Sequence, residues 1–318
     1  MARRDKVVLI VGGAGSIGSA LAQRLCYASC EDLLLLDREE NRLEETRQRL
    51  EEKGFHPICY VGDVRNFIHL SSIVKRHKPD IILNCAASKH VVSGQYNVSE
   101  TTRNNLLTTL NLLKVRPRDS KFVHISTDKA VEPTSVMGAS KMLCESMIRS
   151  EFPSNQDNRI IRFGNVMRTN GSVLDIWERQ FREGVPLRVT DLKMKRWLLP
   201  IEDACDQILR VLGFEPGTYL LDMGRMCSVG EMLGDFLTSK ANEDYPINFV
   251  GAKAGEKIEE KLLWDCEVKD EIKAGGRTII RVSESPKFSY EPSLRVSASY
   301  NDVLTLKLLR KQFKELVA

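Results

Sequence analysis

The chain has 318 residues, enough for one large domain or two domains with a substantial core. Hydrophobic residues make up 42% of it and charged residues 28%, a composition typical of a folded globular protein. The net charge is only +4 and lies in the last fifty residues, too dilute for a nucleic-acid-binding face, so we expect no nucleic-acid partner.

The chain begins with no signal-peptide pattern ahead of its first apolar strand. Its longest apolar runs, 7–11 and 33–36, fall far short of the about 20 residues that a membrane-spanning helix needs, so we expect no membrane span. The 8 cysteines include no Cys-x-x-Cys pair and mostly stand among apolar residues, which favours free thiols over disulfides or a metal site. We therefore predict a cytoplasmic protein with no bound metal.

Up to residue 166, short apolar strands alternate with amphipathic helices. Strands are predicted at 6–11, 32–37, 57–61, 80–84, 121–126 and 159–163, and helices near 16–29, 39–53, 66–77, 97–114 and 134–151. Apolar strands separated by helices indicate a parallel sheet covered on both faces. The predicted fold class is therefore α/β, with a doubly wound parallel Rossmann sheet over residues 1–166.

From residue 167 to 318 the spacing becomes irregular. Helices are predicted near 172–183, 201–213 and 228–239, with a strand at 218–222. We expect a smaller C-terminal substrate-binding lobe and a tail here, and a return of the chain to the first domain around 198–225. Residues 269–295 show no clear period, and a last helix is predicted over 301–316.

The first strand ends in a glycine-rich turn that reads Gly12-Gly13-Ala14-Gly15-Ser16-Ile17-Gly18. Glycines at this spacing permit a tight turn, a close approach of backbone to a pyrophosphate, and close packing of helix on strand. The N–H groups that open the following helix then face the phosphates. A strand, this turn and a helix together predict a dinucleotide site.

Asp37, at the end of the second strand, can hydrogen-bond the adenosine ribose and favours NAD, whereas the neighbouring Arg38 could accept the 2′-phosphate of NADP. NAD is the predicted cofactor, and NADP stays open. Other small or polar residues follow the third and fourth strands beside the expected cofactor. The cofactor-binding residues predicted from position are Gly12, Gly15, Ser16, Ile17, Gly18, Asp37, Arg38, Asp63, Val64, Ala86 and Ala87.

Several ordered motifs beyond the glycine turn resemble one family. They read Ser88-Lys89-His90-Val91, Ser126-Thr127-Asp128-Lys129-Ala130, Met137-Gly138-Ala139-Ser140-Lys141, Arg162-Phe163-Gly164-Asn165-Val166, Gly171-Ser172-Val173, Leu221-Asp222-Met223-Gly224 and Gly255-Glu256-Lys257. Over residues 6 to about 265 the chain resembles the polysaccharide-biosynthesis group of extended short-chain dehydrogenases/reductases, specifically the UDP-N-acetylglucosamine 4,6-dehydratases.

The resemblance implies oxidation at C4 of the sugar, loss of water across C5 and C6, and return of the hydride to C6. It implies that Lys129 is the C5 base, Asp128 the C6 acid and Thr127 a hydrogen-bonding partner of O4. Lys141 is expected to bind the nicotinamide ribose. Position 137, where the superfamily places a Tyr base, is Met here, as in longer members of the group.

The roles of Lys129 and Asp128 require pKa values shifted by burial or by nearby charge. A lysine acts as a base only if burial or nearby positive charge lowers its pKa, and we expect Lys141 and the oxidised nicotinamide to supply that charge. An aspartic acid donates a proton only if burial raises its pKa. Residues implied to contact the UDP-sugar are Lys89, His90, Asn165, Ser172, Val173, Arg196 and Glu256, with Arg196 suited to a bidentate contact with the pyrophosphate.

Two other functions stay open on the sequence. One is a 4-epimerase or another redox-neutral modifier of a nucleotide sugar, and the other is a non-catalytic protein that binds the nucleotide sugar and NAD. The adjacent Asp128 and Lys129 favour dehydration, because a simple epimerase needs no C6 acid. The superfamily also leads us to expect a homodimer or a higher homo-oligomer through the helices near 97–114 and 134–151.

Overall fold

The computed structural model describes residues 7–28, 30, 32–150, 157–167, 169 and 171–283. The first half alternates strands and helices: β1 (Val7–Val11), α1 (Ser16–Tyr27), β2 (Asp32–Asp37), α2 (Glu40–Glu51), β3 (Ile58–Val61), α3 (Phe67–His77), β4 (Ile81–Asn84), α4 (Val91–Tyr96), α5 (Val98–Val115), β5 (Lys121–Ile125), a 3₁₀ turn (Asp128–Ala130), α6 (Val136–Ser150) and β6 (Asn158–Arg162). Each strand predicted there is present within two residues.

The second half contains β7 (Asn165–Val166), α7 (Val173–Arg182), β8 (Leu187–Val189), β9 (Lys195–Leu199), α8 (Ile201–Val211), β10 (Gly217–Leu220), β11 (Met226–Ser228), α9 (Val229–Ser239), β12 (Ile247–Phe249), β13 (Lys269–Ala274) and β14 (Arg277–Val282). The helix predicted over 301–316 lies outside the described residues.

The large sheet has the strand order β13-β14-β10-β6-β5-β4-β1-β2-β3 among the described residues, and β10 through β3 are parallel. Its strands bury both faces. Val8 and Ile10 join one core cluster, while the alternate residues Leu9 and Val11 join the other. This is the doubly wound α/β sheet predicted from the sequence, and β1 between β4 and β2 marks the switch point above which ligands bind in such sheets.

The hairpin of β13 and β14 lies in residues 269–295, where the sequence shows no clear period. Strand β14 pairs antiparallel with β10, and β13 pairs with β14 at the sheet edge. The sequence of β13 shows no alternation of apolar and polar residues, because most of this strand is exposed. Two smaller sheets, β11-β9-β7 and β12-β8, belong with α7 and α9 to a small lobe, whose core surrounds the fully buried Trp177.

The two helices expected to form an oligomer interface pack closely within one chain. Every residue of α6 from 136 to 148 is buried, so its long face is covered by α4, α5 and the sheet. Only α5 retains partly exposed positions along its length.

Candidate active site

The turn after β1 brings backbone atoms unusually close together. Gly12 adopts a φ of +80°, and a Cβ atom there would lie 2.7 Å from the backbone nitrogen of Ala86. A Cβ on Gly18 would overlap the carbonyl oxygen of Gly12. Side chains at these positions are therefore incompatible with this geometry.

Helix α1 starts from that turn with its first N–H groups directed at the cleft. Its N-cap residue is Gly15, which has no side chain to satisfy those donors. The positive end of the helix thus faces the space in which a pyrophosphate would lie. The glycine cradle and the uncapped helix together fit a dinucleotide.

Asp37 is fixed at the end of β2 by two backbone donors. Its Oδ2 accepts a hydrogen bond from Ala14 N at 2.9 Å, and its Oδ1 accepts one from Glu39 N at 3.0 Å. Each carboxylate oxygen can accept a second hydrogen bond, so a ribose hydroxyl can still bind. Arg38 has a half-exposed side chain 3.6 Å from Glu39 and also lines the cleft.

A cleft of about 1040 Å³ lies over the carboxyl ends of the parallel strands. Every residue predicted to bind the cofactor lines it: Gly12, Gly15, Ser16, Ile17, Gly18, Asp37, Arg38, Asp63, Val64, Ala86, Ala87 and Lys141. It is also lined by Thr127, Lys129 and Met137, and by Lys89, His90, Asn165, Ser172 and Val173. One continuous space therefore joins the dinucleotide turn to these further residues.

Asp63 is held by a neighbouring arginine. Its carboxylate accepts hydrogen bonds from Arg65 at 2.6–3.0 Å, and Arg65 in turn donates to Glu100. Burial opposes ionisation, but these hydrogen bonds and the Arg65 charge hold the pKa of Asp63 below its ordinary value. The carboxylate is therefore an acceptor fixed at the edge of the cleft.

The side chains of Thr127, Asp128 and Lys129 form one hydrogen-bonded cluster after β5. Thr127 Oγ1 donates to Asp128 Oδ1 at 2.9 Å, and Lys129 Nζ donates to the same oxygen at 3.0 Å. Lys129 Nζ also donates to Asn165 Oδ1 at 3.1 Å. Strand β5 ends at Ile125 and a 3₁₀ turn begins at Asp128, so all three project near the cleft.

Asp128 lies behind the cleft wall, and in this respect its placement differs from the expectation of a direct sugar contact. Its side chain is 0% exposed, and only Thr127 and Lys129 of the cluster line the cleft. The backbone N–H of Asp128 donates to Phe163 O at 3.1 Å, which holds the residue against β6. Oδ2 has no hydrogen-bond partner within the described part of the chain. Thr127 and Lys129 therefore connect Asp128 to the cleft.

Met137 and Lys141 lie one turn apart on α6, and both line the cleft. Lys141 Nζ donates to Ile125 O at 2.6 Å and lies 3.4 Å from His124 Nε2. Burial lowers the pKa of Lys141. His124 is a core histidine bonded to Asn84, and its pKa is well below the ordinary value because of burial and the Lys141 charge.

Lys89 and His90 lie at the mouth of the cleft and are exposed. Partial loss of hydration, then the charge of Arg42, lowers the pKa of Lys89. Loss of hydration and the Lys89 charge lower the pKa of His90 in the same way. Ser172 caps α7 by accepting from Asp175 N at 3.4 Å, so Val173 begins that helix at the cleft.

Arg196 and Glu256 lie outside the cleft lining. The guanidinium of Arg196 donates to the carbonyls of Lys195 and Ile258, at 2.8 and 3.2 Å. Glu256 folds back to accept from Lys253 N at 2.9 Å. Neither residue is therefore placed to contact a substrate in this arrangement.

The sequence did not single out the buried ionic groups that join residues 255–267, here called the return segment, to the site. Arg162 donates to Glu145 at 2.6–3.0 Å and to Glu267 at 2.7 Å. Glu260 has a 2% exposed side chain, with Oε1 3.8 Å from Lys129 Nζ. Glu260 belongs to a charged run that is typical of a solvated surface, so only the fold identifies it.

Among the described residues, no group of three or more His, Cys, Asp or Glu side chains is placed to hold a metal ion. The same part of the chain contains no helix of the length and apolarity needed to cross a membrane.

The fold defines a Rossmann-type protein, and its glycine cradle fits a dinucleotide. Comparison with known families adds that residues 8–282 match the polysaccharide biosynthesis protein family. The chain belongs to that family.

Two curated relatives show the range of similar proteins. The capsular polysaccharide biosynthesis protein CapD of Staphylococcus aureus is 34% identical over 278 residues, which are 83% of this chain and 46% of that protein. The chain thus spans about half the length of that relative. The UDP-glucose 4-epimerase of Rickettsia massiliae is 30% identical over 81% of this chain and 78% of the epimerase.

Solved structures share the fold. The X-ray structure of Pen from Bacillus thuringiensis superposes with a TM-score of 0.81 at 28% identity, covering 88% of this chain and 90% of Pen. The Thermus thermophilus UDP-glucose 4-epimerase superposes with a TM-score of 0.73 at 22% identity, covering 80% and 90%. The second likeness is evidence for the fold alone.

Proposed function

We propose that this chain is an NAD-dependent nucleotide-sugar 4,6-dehydratase that converts UDP-N-acetylglucosamine to a UDP-4-keto-6-deoxy-N-acetylhexosamine. The observation that carries the proposal is the Thr127-Asp128-Lys129 cluster, which adjoins the same cleft as the dinucleotide turn. Membership of the polysaccharide biosynthesis protein family supports a substrate of the sugar-nucleotide class.

The cluster can move the two protons that dehydration requires. NAD, when bound, would accept the C4 hydride and return it to C6. Thr127 passes the O4 proton to Asp128 along the 2.9 Å hydrogen bond between them. Neutral Lys129 takes the proton from C5, which the C4 ketone has acidified. Asp128 then protonates the departing C6 hydroxyl through Thr127, and Lys129 returns its proton to C5, so one water is lost overall.

The remaining side chains orient the reactants. In this proposal Asn165 holds the Lys129 nitrogen, to which its Oδ1 is 3.1 Å distant. Lys141 binds the nicotinamide ribose from α6. Lys89, His90, Ser172 and Val173, which line the same cleft, contact the UDP-sugar.

NAD is proposed over NADP because the Asp37 carboxylate would repel a 2′-phosphate. The half-exposed Arg38 is paired with Glu39, which reduces its attraction for that phosphate. Mass analysis of the nucleotide released from denatured protein tests this choice. Recovery of NADP in place of NAD would contradict it.

A 4-epimerase is the second candidate. The relative from Rickettsia massiliae is a UDP-glucose 4-epimerase, and Asp128 lies behind the cleft wall instead of facing a sugar. Incubation of the purified protein with UDP-N-acetylglucosamine, followed by mass spectrometry, separates the candidates. Loss of one water supports the dehydratase, unchanged mass with a new isomer supports the epimerase, and no change supports a protein that only binds the nucleotide sugar.

A further inference from the structure

Glu260 is a buried carboxylate that reaches the cluster from the return segment. Its Oε1 lies 3.8 Å from Lys129 Nζ and its Oε2 lies 3.4 Å from Lys257 Nζ. Its backbone is fixed, because Glu260 O accepts a hydrogen bond from the Trp197 indole at 3.2 Å. With only 2% of the side chain exposed, water screens little of its charge.

Lys129 therefore has negative groups on two sides. Asp128 faces it from its own turn, and Glu260 faces it from the return segment. Lys257 pairs with the other oxygen of the Glu260 carboxylate. Lys141, on α6, lines the same cleft as Lys129. Strand β7 contributes only the neutral amide of Asn165.

Lys257 connects this carboxylate to the catalytic turn as well. Its Nζ donates to Val131 O at 2.8 Å, directly after the 3₁₀ turn that carries Lys129. Its side chain is only 16% exposed. The two lysines thus compete for one buried carboxylate from fixed positions.

We propose that Glu260 is a positioning residue that orients Lys129 and controls its charge, and that Lys257 limits this effect by pairing with the same carboxylate. The catalytic part of this inference rests on the proposed function. A carboxylate about 4 Å from an ammonium stabilises the charged form, and this form cannot accept the C5 proton. Lys257 weakens that stabilisation by drawing on the same carboxylate. Lys129 thereby stays aligned by Glu260 and can still lose its proton.

The test compares pH–rate profiles of the wild type, Glu260→Gln and Lys257→Met. Glutamine keeps the shape of the side chain but removes its charge, so the pH of half-maximal activity should fall by about 1–3. Lys257→Met removes the second cation beside Glu260, so Glu260 stabilises charged Lys129 more strongly. The pH of half-maximal activity should therefore rise by about 1. Glu259→Gln is the matched control, because Glu259 is exposed and lies 3.5 Å from the exposed Lys195, away from Lys129.

A merely structural role would lower activity in both variants without moving their profiles in opposite directions. Movement in the same direction, or profiles coincident with that of the Glu259→Gln control, would overturn the proposal. If Glu260→Gln fails to fold, Glu260→Asp withdraws the carboxylate by one methylene and should give a smaller fall.

A second measurement does not depend on turnover. Reductive methylation with ¹³C-formaldehyde labels lysine amines, and the Lys129 signal is assigned by its loss in Lys129→Arg. Its titration midpoint in NMR should be lowest in Glu260→Gln, intermediate in the wild type and highest in Lys257→Met. If the wild type eliminates no water, the proposed function fails, but the order of the three Lys129 titration midpoints still tests the role of Glu260. Equal midpoints in the three proteins would overturn that role.

Discussion

Replacement of Arg162 by Met should destabilise the protein strongly, because Arg162 neutralises two buried carboxylates at once. Its guanidinium contacts Glu145 on α6 and Glu267 of the return segment, and all three side chains are 0% exposed. Ser126, next to the Thr127-Asp128-Lys129 cluster, also donates to Glu145 at 2.5 Å. The variant would leave Glu267 without this partner and Glu145 with only Arg149 and Ser126.

The size of the effect follows from burial and charge. Burial disfavours ionised Glu145, but the charge and hydrogen bonds of Arg162, assisted by the Arg149 charge and the Ser126 hydrogen bond, lower its pKa to about 2, against an ordinary 4.5. This difference corresponds to about 3 kcal/mol of native-state stability. Loss of one partner from a buried ion pair typically costs about 3–5 kcal/mol, so we expect a loss of about 3–5 kcal/mol.

Thermal and urea unfolding of the purified variant measure this loss. Arg49→Met is the matched control, because Arg49 is exposed on α2 and donates only to a backbone carbonyl of its own helix, so it should change stability by less than about 0.5 kcal/mol. Adding Glu145→Gln to Arg162→Met should recover part of the loss, since a buried amide is less costly than an unpaired charge. Equal stability of Arg162→Met and the control would refute the reasoning.

The same carboxylate predicts the direction of the acid response. Because the pKa of Glu145 is lowered in the folded state to about 2, its contribution is fully present above about pH 4.5. That contribution is lost as the pH falls from about 4.5 toward 2. In Arg162→Met the acid-induced loss over this range should be smaller than in the wild type, as urea midpoints at successive pH values would show.

Three further predictions concern the cleft. Lys129→Ala should lower the rate of water loss by about 10²–10⁴-fold and leave NAD binding intact; near-normal dehydration would mean that another group is the base. Gly18→Val should abolish cofactor retention, because a side chain there overlaps the Gly12 carbonyl, and nucleotide recovered at the wild-type level after purification would contradict the cradle. Met137→Tyr should reduce kcat, because Met137 is 3% exposed and packed, and unchanged kcat would show that the site accommodates the ring.

The sequence was sufficient for the parts of the fold with strong local periodicity. Strands such as β1 and β2 are short apolar runs buried on both faces, so composition alone identifies them. The β13–β14 hairpin was missed because an edge strand with exposed Lys and Glu residues lacks an apolar pattern. Helix α4 was not predicted, because the helix predicted near 97–114 covers only α5, which the single residue Asn97 separates from α4.

The candidate site likewise has parts that the sequence predicts and parts that it does not. The glycine turn is recognisable because its backbone geometry requires glycine at fixed spacing. The burial of Asp128 and the contacts of Arg196 with backbone carbonyls depend instead on tertiary packing, which local sequence does not specify. Glu260 meets Lys129 across 131 positions of the chain, so only tertiary structure reveals the pair.

The most direct test of the dehydratase proposal is the reaction of the wild-type protein with UDP-N-acetylglucosamine in deuterium oxide, followed by NMR and mass spectrometry. If Lys129 removes the C5 proton and then delivers a solvent-exchanged deuteron to C5, the product should have lost one water and carry solvent deuterium at C5, with the C4 hydrogen transferred to C6. A product isomer of unchanged mass with hydrogen retained at C5 would contradict the account and identify an epimerase.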